Sequence, residues 1–357
     1  MSQSASRAAP VEFRGVSKVY GGSVCAVDDV SLRVEAGELV TLLGPSGCGK
    51  TTTLRMIAGL EFATEGRIVI GRADVTALPA TMRDVAMVFQ SYALFPHMSV
   101  AENVAYGLVA SGGSRREAAA GAERGLELVG LAGFGERLPS ELSGGQQQRV
   151  AVARALVLEP QVLLFDEPLS NLDARLRRQV REDIRELQRR LGLTVVYVTH
   201  DQEEALAVSD RIVVMHAARI AQIGTPRDLF ERPASEFVAD FIGEANVLDV
   251  DVRRVEGGRA TVSLGPLRLE LDARGLAPGP ARLAVRPDRF RLVAPGDDAL
   301  SGTVAKASYI GRHMEYRVDT ARGALFVVDP AVDRPLAVGE AVGVRCADSG
   351  PVLLARE

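Results

Sequence analysis

The sequence GPSGCGKT, residues Gly44 to Thr51, determines how the rest of the chain is interpreted. It matches the pattern G-x-x-x-x-G-K-[ST] and follows a largely apolar run, 38–43, that predicts a buried strand. A helix is predicted directly after it, over about residues 50–60. In this setting the glycines let backbone N–H groups surround phosphates, and the helix N-terminus adds positive potential. The stretch predicts a nucleotide-binding loop in an α/β protein, and this context disfavours a glycine-rich turn of no chemical meaning.

Two side chains of this loop carry its chemistry. Lys50 is expected to reach the β- and γ-phosphates as a compact positive charge, and the Thr51 hydroxyl to ligate Mg²⁺. Lysine is rare here, since Lys18, Lys50 and Lys306 are the three lysines among 42 basic residues, and a planar guanidinium is not an equivalent group. The predicted nucleotide-binding residues of this segment are Gly44, Pro45, Ser46, Gly47, Cys48, Gly49, Lys50, Thr51 and Thr52.

Two acidic residues follow a second buried strand. The apolar run 162–165 predicts a parallel strand, and Asp166 and Glu167 come at its carboxyl end, where ligands of α/β sheets collect. Asp166 is expected to hold Mg²⁺, and Glu167 to accept a proton from the attacking water or to position it. Alone, such a pair would be read as a solvated loop or a helix cap. Its combination with the glycine-rich loop favours the catalytic interpretation.

A second glycine-rich helix start, LSGGQQQR at 142–149, is the more specific motif. Ser143 is a predicted N-cap, and Gly144 and Gly145 leave their amides uncovered at the start of the following helix. This arrangement is a second phosphate cradle in a chain with one nucleotide-binding loop. A helix cap with incidental glycines is the alternative, and the order and spacing of the motifs argue against it.

Length and composition set further limits. A chain of 357 residues predicts two domains, and after about residue 246 the pattern changes from alternating strands and helices to short strands separated by turns. The net charge of −4 argues against a nucleic-acid partner. The sequence contains no apolar stretch long enough for a membrane helix and no secretory signal, so a cytoplasmic chain is expected. Three scattered cysteines fit a reducing compartment.

Together these segments resemble the nucleotide-binding subunit of an ATP-binding cassette (ABC) transporter. The resemblance also includes Gln90 in VFQSYALFPH, the sequence SNLD at 170–173, and His200 in VTHDQEEA. It covers about residues 12–245 and implies an α/β P-loop NTPase fold with a helical subdomain over about 91–160. The tail, 246–357, contains LAVRPDRFRLV at 283–293 and is similar to the small all-β OB-like domain of maltose, polyamine and ferric-iron importer ATPases. Residues 1–11 are predicted to be a disordered N-terminus.

The resemblance assigns roles to individual residues. It implies that two copies pair head to tail, so that each γ-phosphate lies between the P-loop, 44–51, of one copy and the signature, 142–146, of the other. Gln90 would sense Mg²⁺ and the attacking water, His200 would contact the γ-phosphate, and Asp173 would communicate across the dimer. Tyr20 would stack on adenine, although a strand-end tyrosine packed on the core is the alternative. The signature residues that would contact nucleotide are Ser143, Gly144, Gly145 and Gln146.

The predicted function is the ATP-hydrolysing subunit of an ABC importer, with Glu167, His200 and Gln90 as catalytic residues and Thr51, Gln90 and Asp166 as Mg²⁺ ligands. ATP and Mg²⁺ are the implied cofactors. The implied partners are a second copy, transmembrane permease subunits and, indirectly, a secreted substrate-binding protein, with the chain peripheral on the cytoplasmic face of the inner membrane. Polyamine, ferric iron, quaternary amine and phosphonate remain open as cargo. The alternative is a soluble ABC ATPase acting on DNA or ribosomes; one cassette with neither CxxC nor coiled coil argues against it.

Overall fold

A computed structural model describes residues 7–347 and 349–356. The chain divides into two compact units, the first ending at Pro226 and the second beginning at Arg227. None of the helices in the described ranges is long and apolar enough to cross a membrane.

The first unit is an α/β unit. Its strands are β1 Val11–Tyr20, β2 Val24–Val34, β3 Leu39–Leu43, β4 Glu65–Ile70, β5 Ala73–Asp74, β6 Val85–Val88, β7 Val162–Asp166, β8 Thr194–Thr199, β9 Arg211–His216 and β10 Arg219–Gly224. Its helices are α1 Lys50–Ala58, α2 Val100–Ala110, α3 Arg115–Leu128, α4 Gly144–Leu156, α5 Ala174–Leu191 and α6 Gln202–Val208. The strands and helices predicted around the nucleotide-binding loop and the acidic pair are confirmed.

A six-stranded sheet in the order β10-β9-β3-β8-β7-β6 forms the centre of this unit. Strands β9, β3, β8, β7 and β6 are parallel, and β10 is antiparallel to β9. Every residue of β3 and β8 is buried, as expected for apolar strands covered on both faces. Parallel strands end at one edge of a sheet, so the segments after β3, β6, β7 and β8 emerge together. Those segments carry the P-loop, Gln90, Glu167 and His200.

Two further groups of elements complete the unit. A four-stranded antiparallel sheet, in the order β2-β1-β4-β5, carries Tyr20 at the end of β1, paired with Val24. Helices α2 to α4 pack around a separate apolar cluster that includes Val104, Leu126 and Val150, and they lie within the range predicted for the helical subdomain. Helix α5 buries one apolar face and is capped at its C-terminus by Gly192, with φ 61°.

The second unit is mainly β. It contains the short helices α7 Pro226–Glu231, which starts at the division between the units, and α8 Glu236–Phe241, and the strands β11 Asn246–Glu256, β12 Arg259–Leu264, β13 Leu267–Asp272, β14 Gly279–Val285, β15 Phe290–Val293, β16 Leu300–Tyr309, β17 Met314–Thr320, β18 Gly323–Asp329, β19 Ala341–Cys346 and β20 Val352–Leu354. They form two five-stranded sheets, in the orders β13-β12-β11-β14-β20 and β15-β19-β16-β17-β18. Both sheets contribute to one apolar cluster.

The division between the units falls earlier than the predicted boundary at residue 245. Residues after Pro226 group with the β unit because their side chains and carbonyls pack there. Glu236 of α8 accepts a hydrogen bond from Arg282 at 2.9 Å, and Arg286 donates to the Phe230 carbonyl at 3.0 Å. Ala239 joins the small apolar cluster with Ala284 of β14.

The predicted disordered N-terminus, 1–11, divides into two parts. Residues 1–6 lie outside the described residues. Residues 7–11 are packed, which differs from the expectation: Ala9 is buried and its N–H donates to the Gln161 carbonyl at 3.2 Å, and Arg7 pairs with Asp84 at 2.8 Å. Strand β1 begins at Val11.

Candidate nucleotide-binding site

The P-loop connects β3 to α1, and its glycines are required by close backbone contacts. Gly49, the N-cap of α1, has φ 103°, and a Cβ at this position would lie 2.3 Å from the carbonyl oxygen of Ala26. A Cβ at Gly44 would lie 2.3 Å from the carbonyl oxygen of Met215. Neither partner is a side chain that can move away, so the loop conformation demands glycine at both positions. Ser46 and Gly47 are exposed at the tip, Pro45 and Thr52 are half-buried, and Cys48 is buried.

Lys50 is held inside this loop. Its side-chain ammonium donates hydrogen bonds of 2.8 Å to the carbonyl oxygens of Gly44 and Pro45, and the residue is 5% exposed. A buried ammonium needs such partners. The loop therefore contains a buried positive charge held by its own backbone carbonyls.

Thr51 and Asp166 meet across the gap between α1 and β7. The Thr51 hydroxyl lies 3.4 Å from a carboxylate oxygen of Asp166. Burial raises the pKa of Asp166, and the hydrogen bond from Thr51 acts in the opposite direction. The structure thus brings two hard oxygen donors together beside the P-loop, as the sequence predicts.

Glu167 and His200 form a second pair at the same sheet edge. Nδ1 of His200 lies 3.1 Å from Oε2 of Glu167, with the histidine side chain 60% exposed and the glutamate 22% exposed. Glu167 has φ 46°, and its backbone N–H donates to the Val198 carbonyl of the neighbouring strand. A left-handed backbone at a non-glycine residue is strained and commonly marks a functional position. The carboxylate is consequently fixed beside an accessible imidazole.

Gln90 lies two residues beyond β6 and is exposed. Its backbone carbonyl accepts a hydrogen bond of 3.0 Å from the Asn171 side chain, which belongs to the SNLD segment. Ser170 of the same segment donates through its hydroxyl to the Glu167 carbonyl at 3.0 Å. These contacts connect the segment after Gln90 and the general-base candidate to one loop.

The signature begins helix α4 with a reciprocal capping box. Ser143 is the N-cap, its hydroxyl accepts from the Gln146 N–H at 3.4 Å, and the Gln146 side chain accepts from the Ser143 N–H at 2.9 Å. A Cβ at Gly145 would lie 2.7 Å from a methyl carbon of Leu176, and one at Gly144 would lie 3.0 Å from a methyl carbon of Leu172. The glycines of the signature are therefore packed against the segment around Asp173.

Asp173 and Tyr20 have structural contacts of their own. Asp173 is the N-cap of α5 and accepts hydrogen bonds from the backbone N–H groups of Arg175 and Leu176 at 3.0 and 2.9 Å. Tyr20 is 37% exposed, and the Lys18 ammonium lies 4.7 Å from its ring centroid, in cation–π range. The tyrosine ring is therefore accessible, and it lies on the hairpin whose second strand contacts Gly49 through Ala26.

Sequence reasoning missed Arg177, which fixes the segment after His200. Its guanidinium donates to a carboxylate oxygen of Asp201 at 3.2 Å and to the Leu172 carbonyl at 3.1 Å. Asp201 in turn caps α6 by accepting from the Glu204 N–H at 2.9 Å. Arg177 gave no signal in the sequence because it is one of several arginines on the polar face of α5.

The chain is similar to known protein families and proteins. A family model described as ABC transporter matches residues 27–170, and a model described as TOBE domain matches residues 283–354. The Fe(3+) ions import ATP-binding protein FbpC 1 of Rhizobium meliloti (strain 1021) is 62% identical over 344 residues, which cover 96% of this chain and 97% of that protein. The chain belongs to the ABC transporter family. As an ABC subunit it binds and hydrolyses ATP to energise import, and its β-rich unit contains the OB-like TOBE domain.

This ABC subunit is also similar to a polyamine importer subunit and to a solved ABC cassette. The spermidine/putrescine import ATP-binding protein PotA of Rubrobacter xylanophilus is 48% identical over 346 residues, covering 95% of this chain and 92% of that protein. The solved dimer of the ATP-binding cassette MJ0796 in a post-hydrolysis state, bound to ADP and Pi, is 33% identical with a TM-score of 0.54, covering 61% of this chain and 99% of that one. The ABC transporter match includes the P-loop, Gln90, the signature and Glu167.

Proposed function

We propose that this subunit energises import of ferric iron. The observation that carries the cargo assignment is the 62% identity to a ferric-iron import ATP-binding protein over nearly the whole of both chains, against 48% to the polyamine importer subunit. Cargo selection itself would belong to a permease and a binding protein.

The chain's own residues would carry out the hydrolysis. Lys50 would transfer its hydrogen bonds from the carbonyls of Gly44 and Pro45 to phosphate oxygens, where the N-terminus of α1 adds positive potential. Glu167 would accept a proton from the attacking water or orient it, because its carboxylate is partly exposed and its backbone is fixed by β8. His200 would contact the γ-phosphate while its Nδ1 stays near Glu167.

Mg²⁺ fits the residues present. The Thr51 hydroxyl and the Asp166 carboxylate are hard oxygen donors only 3.4 Å apart, the ligand type that this cation prefers. Gln90 is proposed as a further ligand from the end of β6. When bound, the cation neutralises charge on the phosphate oxygens.

A head-to-tail dimer would complete each site. Ser143 is exposed at the N-terminus of α4, so its hydroxyl can face a nucleotide held by a second copy. Gly144 is half-buried and Gly145 is buried against Leu176, and their amides would reach that nucleotide at the N-terminal end of the helix. The dimeric state named for the solved relative supports this arrangement. Asp173, beside the signature, would lie near the interface, and Tyr20 would stack on adenine.

The proposed permease surface surrounds the segment after Gln90. Tyr106 is 46% exposed and its ring centroid lies 4.7 Å from that of Phe95, whereas Tyr92 is buried and belongs to the core. Asn103 fixes this surface, since its side chain accepts from the Phe95 N–H and donates to the Phe95, Met98 and Ser99 carbonyls. Docking a permease here would place the subunit on the cytoplasmic face of the inner membrane.

Ferric-iron transport is the test of the cargo assignment. The subunit would be reconstituted in liposomes with its permease and binding protein, and ATP-driven uptake of labelled ferric iron and labelled spermidine would be compared. We expect iron uptake to depend on ATP and spermidine uptake to stay at background. Spermidine uptake without iron uptake would overturn the cargo assignment while leaving the ATPase assignment intact.

Glu167→Gln tests the proposed chemistry. The amide cannot accept the proton, so turnover should fall by about 100-fold or more, while ATP still binds and a nucleotide-bound dimer accumulates. Phosphate release and light scattering measure the two effects. Glu203→Gln, at an exposed glutamate in the first turn of α6, is the matched control and should keep wild-type turnover. Normal hydrolysis by Glu167→Gln would remove the general-base assignment.

A further inference from the structure

The segment that follows Gln90 is strained. Tyr92 and Ala93 are consecutive non-glycine residues with φ of 61° and 49°. L-amino acids disfavour this left-handed conformation, and it persists where surrounding contacts hold it in place. The contacts that hold these two residues therefore determine the shape of the loop that starts at Gln90.

Arg154 supplies a fork of two hydrogen bonds to these two residues. One guanidinium nitrogen donates to the Ala93 carbonyl at 2.7 Å, and the other donates to the Tyr92 carbonyl at 2.8 Å. The same group lies 5.8 Å from the ring centroid of Phe95. Both hydrogen bonds have a charged donor, which strengthens them, and the planar fork fixes the direction of both carbonyls together.

Arg154 belongs to the same helix as the signature. Helix α4 runs without interruption from Gly144 to Leu156, so Ser143 caps one end and Arg154 lies in the last turn. A continuous helix of 13 residues moves as a body, with a length of about 20 Å. A displacement of the Tyr92–Ala93 carbonyls would therefore reach the signature through one side chain and one rigid element.

We propose that Arg154 is a positioning residue that couples the loop after Gln90 to the signature helix. Permease engagement at the surface around Phe95 and Tyr106 moves this loop, Arg154 passes the movement to α4, and the N-terminus of α4 moves relative to the nucleotide held by the second copy. This inference rests on the proposed coupling to a permease. It gives Arg154 no contact with ATP.

The test separates basal turnover from its stimulation by the transporter. Wild type, Arg154→Met and Arg154→Lys would be measured as isolated subunits and in the reconstituted complex with permease and loaded binding protein. We expect all three to bind ATP, the stimulation ratio of Arg154→Met to fall toward one, and that of Arg154→Lys to be intermediate, because an ammonium cannot hold both carbonyls in the fork geometry. Arg190→Met is the matched control: Arg190 also donates to a backbone carbonyl, that of Leu128, at 2.9 Å, and its loss should leave the ratio unchanged.

The outcomes are distinguishable. If the wild-type complex shows no stimulation, the proposed permease coupling fails. If the wild type is stimulated and folded Arg154→Met is stimulated equally, the inference about Arg154 is overturned. If Arg154→Met does not fold, Arg154→Lys is the deciding variant, since it keeps the positive charge. A stimulation ratio equal to that of wild type contradicts the inference, and a reduced stimulation ratio supports it. A loss of stimulation by Arg190→Met of the same size would also overturn it.

Discussion

The P-loop and the signature are both glycine-rich turns that start a helix, yet different neighbours require their glycines. In the P-loop a Cβ at Gly49 would meet the backbone oxygen of Ala26 at 2.3 Å, and Gly49 itself has φ 103°. In the signature a Cβ at Gly145 would meet a methyl group of Leu176 at 2.7 Å, and a leucine end can rotate. The P-loop is thus fixed by backbone, and the signature by leucine side chains at the start of α5 and just before it.

The main polar side chains of the two turns also differ in exposure and in hydrogen bonding. Lys50 is 5% exposed and fully engaged with carbonyls of its own loop, whereas Ser143 is exposed and bonds within its own capping box. On the proposed function, the P-loop would bind phosphate within a single chain, and the signature would act on the nucleotide held by a second copy. Substitutions should therefore affect ATP binding by the monomer in one case and turnover by the dimer in the other.

Lys50→Ala should give the largest effect. It removes charge-assisted hydrogen bonds to phosphate, each worth about 1.5–3 kcal/mol, so ATP affinity of the isolated subunit should fall by about 100-fold or more. Isothermal titration calorimetry measures this. Lys306→Ala, at an exposed lysine of the second unit, is the matched control and should bind ATP normally. Undiminished affinity of Lys50→Ala would show that the lysine is not part of the phosphate site.

Gly49→Ala and Gly145→Ala should separate the two turns. Gly49→Ala adds backbone strain of about 1–3 kcal/mol and a backbone clash, so it should lower both the melting temperature and monomeric ATP affinity. Gly145→Ala should cost about 1 kcal/mol as Leu176 moves, keep monomeric ATP affinity and reduce turnover. Thermal melting, nucleotide titration and phosphate release measure the three quantities. Equal loss of monomeric ATP binding in both variants would break the distinction.

Much of this comparison could be predicted from sequence, because the P-loop, the Asp166–Glu167 pair and the signature are local patterns on elements with clear periodicity. The contacts of Lys18 could not be predicted from the sequence. Its ammonium lies 3.2 Å from Glu61 and donates to the Phe62 carbonyl at 2.9 Å, contacts between residues far apart in the chain that leave no local pattern. The roles of Arg154 and Arg177 could not be predicted for the same reason. In the sequence each is one arginine among many, and only the fold brings a carbonyl oxygen to it.

The division between the units, after Pro226, differs from the boundary predicted at residue 245 for a related physical reason. The change of sequence pattern near residue 246 marks the first long strand of the β unit, whereas the helices before it are short. Their assignment depends on what they pack against, such as Arg286 donating to the Phe230 carbonyl and Ala239 beside Ala284. Periodicity locates elements, and long-range packing decides to which unit a short element belongs.

Ser143→Ala gives the smallest expected effect and tests the signature most selectively. Losing the N-cap should cost about 1 kcal/mol of stability, and losing one hydrogen bond to the partner-held nucleotide should reduce turnover by about 10-fold. Ser114→Ala is a matched control, because Ser114 caps α3 with the same reciprocal box to Glu117 but lies outside the motifs. Both variants should lose similar thermal stability, and only Ser143→Ala should lose turnover. If the two variants lose turnover equally, the signature serine acts through helix stability alone. The P-loop and the signature would then differ only in how their glycines are packed.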